Sequence, residues 1–138
     1  MALTAELNTP ARGIVEQIAL PMKAATKIYK GDLVVLADGF AIPAAVDEDL
    51  LAVGRAHATV DNAGADGALS ITVDQGVFFW NGDSSFSSSP PDIAAAVYIG
   101  GDGLVSTTST NNSKAGVVEG LEGAGAWVRS SLTLSTLL

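Results

Sequence analysis

Apolar and polar positions alternate over short runs along the chain, and no long helical period interrupts them. The clearest run places Leu69, Ile71 and Val73 on one face and polar residues on the other, which is the pattern of a half-buried strand. Residues 74–76 (Asp-Gln-Gly) then predict a bulge or bend. The next four residues, 77–80, are apolar on both faces, so both faces need a cover. We expect one face in the core and the other in a contact between subunits.

Turn signals divide the rest of the chain into further short strands. Asp38-Gly39 separates the apolar runs 33–37 and 40–43, and this dipeptide favours a tight hairpin because both of its residues need a positive φ. The glycine-rich stretch 122–125 predicts a second hairpin by the same logic. Alternation at 132–134 predicts a last strand. Many short strands separated by turns indicate a β-sandwich or a small barrel.

Three segments do not follow the strand pattern. Residues 1–13 have turn chemistry and no periodicity, which predicts an extended N-terminal arm. Residues 81–91 form a serine-rich loop, and Asp92 is placed to cap one helical turn over 92–96. The resulting prediction is an all-β fold, a small β-sandwich or barrel over residues 14–138 that carries the arm at its N-terminus.

Composition narrows the function classes. The 138 residues carry a formal net charge of −8, and an acidic protein is repelled by nucleic-acid phosphates and by anionic lipid. We therefore expect no nucleic-acid partner and no membrane partner. Charged residues make up only 16% of the chain, against about 25% in a typical domain. Such an apolar surface is typical of a protein that works within an assembly.

Catalytic and metal-binding motifs are sparse. The chain has no cysteine and one histidine, His57, which the alternation of a predicted strand places on the same face as Arg55. No acid or nucleophile stands at motif spacing around His57, and one histidine alone does not make a zinc site. The stretch 61–67 resembles a calcium loop, but Ala63 and Ala65 stand where oxygen ligands are needed. We expect no enzymatic activity, no metal and no cofactor.

The order of segments resembles a family of small phage proteins, the capsid decoration or head cement proteins. The likeness covers residues 12 to about 129, and only 83–91 and the tail 132–138 depart from it. The segments that carry it are Ile28-Tyr29-Lys30-Gly31-Asp32-Leu33-Val34, Asp38-Gly39-Phe40, Ala52-Val53-Gly54-Arg55-Ala56, 61–73, Gly76-Val77-Phe78, Asp92-Ile93, Val97-Tyr98-Ile99, Ala115-Gly116-Val117-Val118 and Trp127-Val128.

The resemblance implies a structural virion protein that is assembled in the host cytoplasm. It would bind the outer surface of a phage head as a homotrimer and stabilise contacts between major capsid subunits. Our candidates for the contact with the major capsid protein are Leu3, Leu7 and Ile14, because an extended arm can add to a partner's sheet edge. Phe78 and Trp80 are our candidates for the trimer interface.

Two other hypotheses remain open at this stage. A carbohydrate-binding module on a phage head or tail fibre would use Trp80, Trp127 and the loop 81–91, because aromatic rings stack on sugars. Burial of both tryptophans would count against it. A hydrolase would use His57, and it would need an acid and a nucleophile within hydrogen-bond reach of the ring.

Overall fold

The computed structural model describes residues 3–101 and 103–138, and within the first strand it leaves out the side chains of Arg12 and Ile14. The chain is 51% strand and 8% helix, with a closed β-barrel and additional strands. The all-β prediction is therefore confirmed. The side chain of Ile14, one of the three residues assigned to capsid contact, lies outside the described part.

The first strand starts at Ala11, and the last helix ends one residue before the C-terminus of the chain. The elements in chain order are β1 (Ala11–Pro21), β2 (Thr26–Ile28), β3 (Leu33–Ala37), β4 (Phe40–Pro43), β5 (Leu51–Ala56), β6 (Val60–Asn62), β7 (Ser70–Gly82), α1 (Ser85–Ser88), β8 (Ala96–Gly101), β9 (Leu104–Ser106), β10 (Lys114–Glu122), β11 (Gly125–Ser130) and α2 (Leu132–Leu137).

The 13-residue strand β7 connects the parts of the fold. Along one of its edges it pairs with β1 and then, at Asn81 and Gly82, in parallel with β9. Along the other edge it pairs with β5 at Val73 and Asp74, and then with β11 from Gly76 onward. The barrel closes because β11 continues through β10, β8 and β9 back to β7. Strands β5, β3 and β4 extend the sheet beyond the barrel.

The turn chemistry read from the sequence accounts for the hairpins. Asp38 and Gly39 have φ values of 51° and 85°, and they join β3 to β4, whose residues pair from Ala37 with Phe40 outward. Positive φ at both central residues matches the right-handed twist of the flanking strands. Strands β10 and β11 form the second predicted hairpin around the turn at 123–124. Both hairpin predictions are confirmed.

Two separate groups of buried side chains make up the interior. The barrel core contains Phe78 and Trp80 of β7 together with apolar residues of β8, β10 and β11. A second core lies beneath the sheet extension and contains Ile71 and Val73 of the same strand. The strand thus changes core across residues 74–76, where its partner changes from β5 to β11. The bulge or bend predicted for these residues is not present as a break, because β7 is continuous there and only its partner changes.

The placement of Phe78 and Trp80 corrects one expectation. Phe78 is 0% exposed and Trp80 is 2% exposed in the single chain. Their side chains fill the barrel, so they offer no surface to another copy and are not the trimer contacts that the sequence suggested. A closed barrel covers its inward face by itself. The expectation that this face of the strand is covered is therefore correct, but the barrel of the same chain covers it and not another copy.

Three local predictions were wrong or incomplete. The predicted last strand is the helix α2, because the Ser131 side chain accepts a hydrogen bond from the Leu134 backbone N–H at 3.1 Å and caps the helix. In place of the predicted helical turn over 92–96, residues 92–95 form a reverse turn that leads into β8, and in it the Ala95 N–H donates to the Asp92 carbonyl. The serine-rich loop contains the single turn α1, whose Phe86 is buried against Gly82.

The burial of Phe78 generates a stability prediction. We expect Phe78→Ala to lower the free energy of unfolding by about 3–5 kcal/mol, because truncation of a buried aromatic ring leaves a cavity in the core. Leu121→Ala is the control, since Leu121 is 48% exposed and surface changes are usually within about 0.5 kcal/mol. Urea unfolding of the isolated chain measures both. A Phe78→Ala variant that keeps its stability but changes its oligomeric state would show that Phe78 contacts another copy.

Candidate site beneath the N-terminal segment

A cleft of about 620 Å³ lies between the segment 3–10, which precedes β1, and the strands β5 and β7. Several of the side chains that line it form hydrogen bonds with residues far away in the sequence. The residues that matter for its chemistry are Glu6, Thr9, Lys30, Arg55, His57 and Asp74.

Asp74 is the centre of the cleft's hydrogen-bond network. Its side chain is 2% exposed, and it accepts hydrogen bonds from three neighbours. Arg55 donates to Oδ2 from Nη2 at 2.9 Å and from Nε at 3.3 Å. Gln17 Nε2 donates to Oδ1 at 3.0 Å, and Nδ1 of His57 lies 3.2 Å from the same oxygen. A buried carboxylate needs such partners, because burial without them is unfavourable.

Strand register explains how these partners meet. Asp74 of β7 lies opposite Arg55 of β5 on one side and opposite Gln17 of β1 on the other. Directly opposed residues in an antiparallel pair have neighbouring side chains. His57 follows Arg55 by two positions and therefore points to the same face. The shared face of Arg55 and His57 was predicted from the sequence, whereas the roles of Asp74 and Gln17 were not.

The ionisation of Asp74 follows from these contacts. Burial by itself would raise the pKa of the Asp74 carboxyl, but the hydrogen bonds from Arg55, Gln17 and His57 and the charge of Arg55 outweigh it, and the pKa is lowered. The carboxylate is therefore the form present at neutral pH. The Arg55 guanidinium also lies over the Phe78 ring, with Cζ 4.7 Å from the ring centroid, which adds a cation–π contact to the pair.

His57 has the acid that the hydrolase hypothesis required. Its ring is 53% exposed, and Nδ1 faces Asp74, so Nδ1 is the nitrogen that carries the proton when it donates to that carboxylate. Gln17 Nε2 lies 3.2 Å from the same nitrogen. Among the described residues, no hydroxyl group forms a hydrogen bond with the ring. The nucleophile of that hypothesis is thus not in place.

The segment 3–10 is attached to the cleft through backbone groups. The Leu7 N–H donates to the Lys30 carbonyl at 2.8 Å, and Thr9 Oγ1 donates to the Gly31 carbonyl at 2.6 Å. Arg55 Nη1 donates to the Thr9 carbonyl, so one guanidinium contacts both Asp74 and the segment. These bonds place the segment across the turn between β2 and β3.

Gly31 makes this close approach possible. Its φ is +90°, and a Cβ built there would lie 1.7 Å from the Leu7 carbonyl oxygen. Any other residue would be both strained at this φ and in collision with the segment. The turn that contains Lys30 and Gly31 is therefore the surface on which the N-terminal segment lies.

Two of the residues assigned to capsid contact lie on this segment. Leu3 and Leu7 are half-buried, and both side chains reach towards Gly103 in the turn between β8 and β9, where a Cβ would lie 2.9 Å from Leu7 Cδ2 and 3.6 Å from Leu3 Cδ2. In the isolated chain these leucines therefore contact their own barrel. The arm and its leucines were predicted from the sequence, but their contact with the turn at Gly103 was not.

The two tryptophans do not form one surface. Trp80 lies inside the barrel, whereas Trp127 is half-buried and packs edge-on against Phe79, with ring centroids 5.5 Å apart and an interplanar angle of 63°. Trp80 is therefore closed to a sugar, but Trp127 is not fully buried, so the burial of both tryptophans that would count against the carbohydrate-binding hypothesis is not found. Phe79 and Trp127 are opposed residues of β7 and β11, so their contact also supports the barrel seam.

Residues 3–101 and 103–138 contain neither a cluster of metal-ligand side chains nor a membrane-spanning helix. No group of three or more His, Asp or Glu side chains there is arranged to hold a metal ion. Neither of the two helices found in these ranges has the length and apolar character of a membrane span. Comparisons with protein-family models, with curated proteins and with solved structures found no match to this chain.

The lowered pKa of Asp74 predicts an acid-sensitive fold. Ionised Asp74 stabilises the folded chain above its unfolded-state pKa of about 3.9, and this stabilisation is lost as the pH falls through the lower folded-state pKa. We expect Asp74→Asn to lower the free energy of unfolding at pH 7 by about 1.5–3 kcal/mol, the usual range for hydrogen bonds to a charged group. The same variant should lose less stability than the native chain between pH 5 and pH 2.

Urea unfolding at a series of pH values tests this prediction. Glu119→Gln is the matched control, because Glu119 pairs with Arg129 on the exposed surface and such pairs contribute less than about 1 kcal/mol. Equal pH profiles for the native chain and Asp74→Asn would contradict the assignment of the acid sensitivity to Asp74.

Proposed function

We propose that this chain is a capsid decoration protein, which binds the outside of a phage head and stabilises contacts between major capsid subunits. The observation that carries the proposal is the N-terminal segment 3–10. It brings two leucines to the surface of a closed barrel on an extended backbone that is not part of any strand. An extended segment with spaced apolar side chains is suited to add to the sheet edge of a partner.

The charge of the chain supports an outward position on the head. The formal net charge is −8, and two of the seven basic residues, Arg55 and Arg129, are already paired with carboxylates. Packaged DNA repels such a protein, whereas the outer face of a shell does not confine it near the phosphates. The sequence segments that resemble the decoration family lie both on strands of the barrel and on strands outside it.

The proposed mechanism is stabilisation by binding. A protein that attaches only to the assembled shell shifts the equilibrium towards the shell, and it adds about 2.7 kcal/mol per site at a free concentration 100 times Kd. This mechanism requires no covalent bond to be made or broken in the capsid. This function requires contact surface and a stable scaffold, and the closed barrel supplies the scaffold.

We propose a homotrimer whose contacts come from the surface of the barrel. Several large apolar side chains are exposed in the single chain, among them Leu51 at the start of β5 and Leu137 and Leu138 at the end of α2. Helix α2 packs on β5, and the Ser135 hydroxyl donates to the Ala52 carbonyl. These leucines belong to neighbouring elements, and they replace Phe78 and Trp80 as candidates for contacts between copies.

Sedimentation with undecorated phage heads tests the function. We expect the chain to have the mass of a trimer in solution and to pellet with the heads. The double variant Leu3→Ser/Leu7→Ser should weaken head binding at least about tenfold, because each buried leucine contributes roughly 1.5–3 kcal/mol of apolar burial. Ile93→Ser, which changes an exposed apolar residue outside the segment, is the control.

The result that would overturn the proposal is a native chain that stays in the supernatant at every head concentration. Retention of that chain on a glycan array would then favour the carbohydrate-binding alternative, with Trp127 and Phe79 as its remaining aromatic surface. Unchanged head binding by the double leucine variant would leave a decoration protein whose attachment does not use the segment.

A further inference from the structure

We propose that the segment 3–10 is a detachable strap that Arg55 clamps onto the barrel, and that its release makes Leu3 and Leu7 available to a partner. The strap and its contact with Arg55 are features of the isolated chain and do not depend on the proposed function. The identification of the partner as a capsid subunit rests on the proposed function.

The strap is held by far fewer bonds than the strand that follows it. Strand β1 pairs residue by residue with β7 from Glu16 to Pro21. The strap instead has isolated bonds, from the Leu7 N–H to the Lys30 carbonyl, from the Thr9 hydroxyl to the Gly31 carbonyl and, at 3.5 Å, from the Leu3 N–H to Asp32 Oδ2. Glu6 accepts from Thr59 Oγ1 at 2.7 Å on the exposed side, and Leu7 packs against the edge of the barrel core. Segments with few buried contacts open without unfolding of the whole protein.

Arg55 adds a charged bond to this weak set. Its guanidinium is held on one side by Asp74, through Nη2 and Nε, and its Cζ lies 4.7 Å from the centroid of the Phe78 ring. The remaining nitrogen, Nη1, donates to the Thr9 carbonyl. Because the planar group is already fixed by Asp74 and Phe78, little side-chain entropy is lost when it binds the strap. Arg55 therefore connects the strap to a buried point of the scaffold.

The place where the strap can pivot is defined by its last contact. The Pro10 carbonyl accepts a hydrogen bond from the Phe79 N–H at 3.0 Å, and Ala11, the first residue of β1, is already paired with Phe78. Rotation about the Thr9–Pro10 junction would release the strap and leave every strand pairing intact. The opening is thus a hinge motion of a terminal segment, and the barrel does not change.

The two positions of the strap exclude one another. When it is closed, Leu3 and Leu7 contact the turn at Gly103 of their own barrel. When it is open, the same side chains are free to enter a groove of a partner, and the Lys30 carbonyl loses the Leu7 N–H. For a partner that binds only the open form, the apparent affinity is the intrinsic affinity multiplied by the open fraction. A variant that opens the strap therefore raises the apparent affinity.

Backbone amide exchange followed by NMR tests the strap in the isolated protein. In the native chain we expect the Leu7 amide to exchange at least about tenfold faster than the Val118 amide, which donates to the Ala95 carbonyl in the barrel. In Arg55→Met the Leu7 rate should rise about tenfold further while the Val118 rate stays the same. Arg129→Met, which removes an exposed ion pair, should change neither rate.

A second variant protects the test against a folding failure, because Arg55→Met leaves Asp74 buried without its cation. Thr9→Val removes only the hydroxyl bond to the Gly31 carbonyl and should accelerate Leu7 exchange several-fold. The strap is overturned if Leu7 exchanges at the Val118 rate in the native chain. It is equally overturned if the folded variants speed both amides alike.

Head sedimentation with the same variants separates the two proposals. A strap that releases the leucines to a capsid subunit predicts that Thr9→Val pellets with heads at a several-fold lower concentration than the native chain. Fast Leu7 exchange with no binding to heads would keep the strap and sink the decoration function. Native binding to heads with Leu7 exchanging at the barrel rate would keep the decoration function and sink the strap.

Discussion

The fold depends on one strand that pairs with four others. Strand β7 closes the barrel through β11 and β9 and carries the outer sheet through β1 and β5. Because its partners change along its length, its side chains have to serve two cores in succession. The change is made at Asp74-Gln75-Gly76, where the strand leaves β5 and meets β11. The other strands of this nine-stranded sheet join β7 directly or through these partners, whereas β2 and β6 pair with each other in a separate sheet.

Asp74 shows the electrostatic consequence of that arrangement. A residue in the middle of such a strand is buried by its neighbours on both edges, so a carboxylate there must be fully hydrogen-bonded. The two opposed residues, Arg55 and Gln17, and the nearby His57 meet this requirement. The requirement fixes the Arg55 guanidinium in turn, and the fixed guanidinium reaches the Thr9 carbonyl. The seat of the N-terminal segment is thereby connected to the interior of the sheet.

The sequence predicted the local structure better than the contacts between distant segments. The Asp38-Gly39 hairpin and the alternation up to Val73 depend on neighbouring residues, so both can be predicted from the sequence. Phe78 and Trp80 were correctly expected to be buried, but closure of the barrel by β11 is a pairing between distant segments, so the source of that burial was assigned to another copy. At the C-terminus, the Ser131 cap on the Leu134 N–H favoured a helix over the alternation.

For the same reason, only part of the candidate site could be predicted from the sequence. Arg55 and His57 share a face by the period of a strand, and this much was predicted. Their meeting with Asp74 required the register between β5 and β7, and the contact of Arg55 with Thr9 required the position of a segment that has no periodicity at all. One signal could have been used. Asp74 is the one acidic residue of the central strand β7, and apolar residues precede and follow it along the strand. A buried acid requires a cation elsewhere in the chain. Among the seven basic residues, Arg12 and Arg55 each stand between an alanine and a glycine. Only Arg55 lies in an alternating segment, so the strand pattern and not its neighbours alone marks it as the partner.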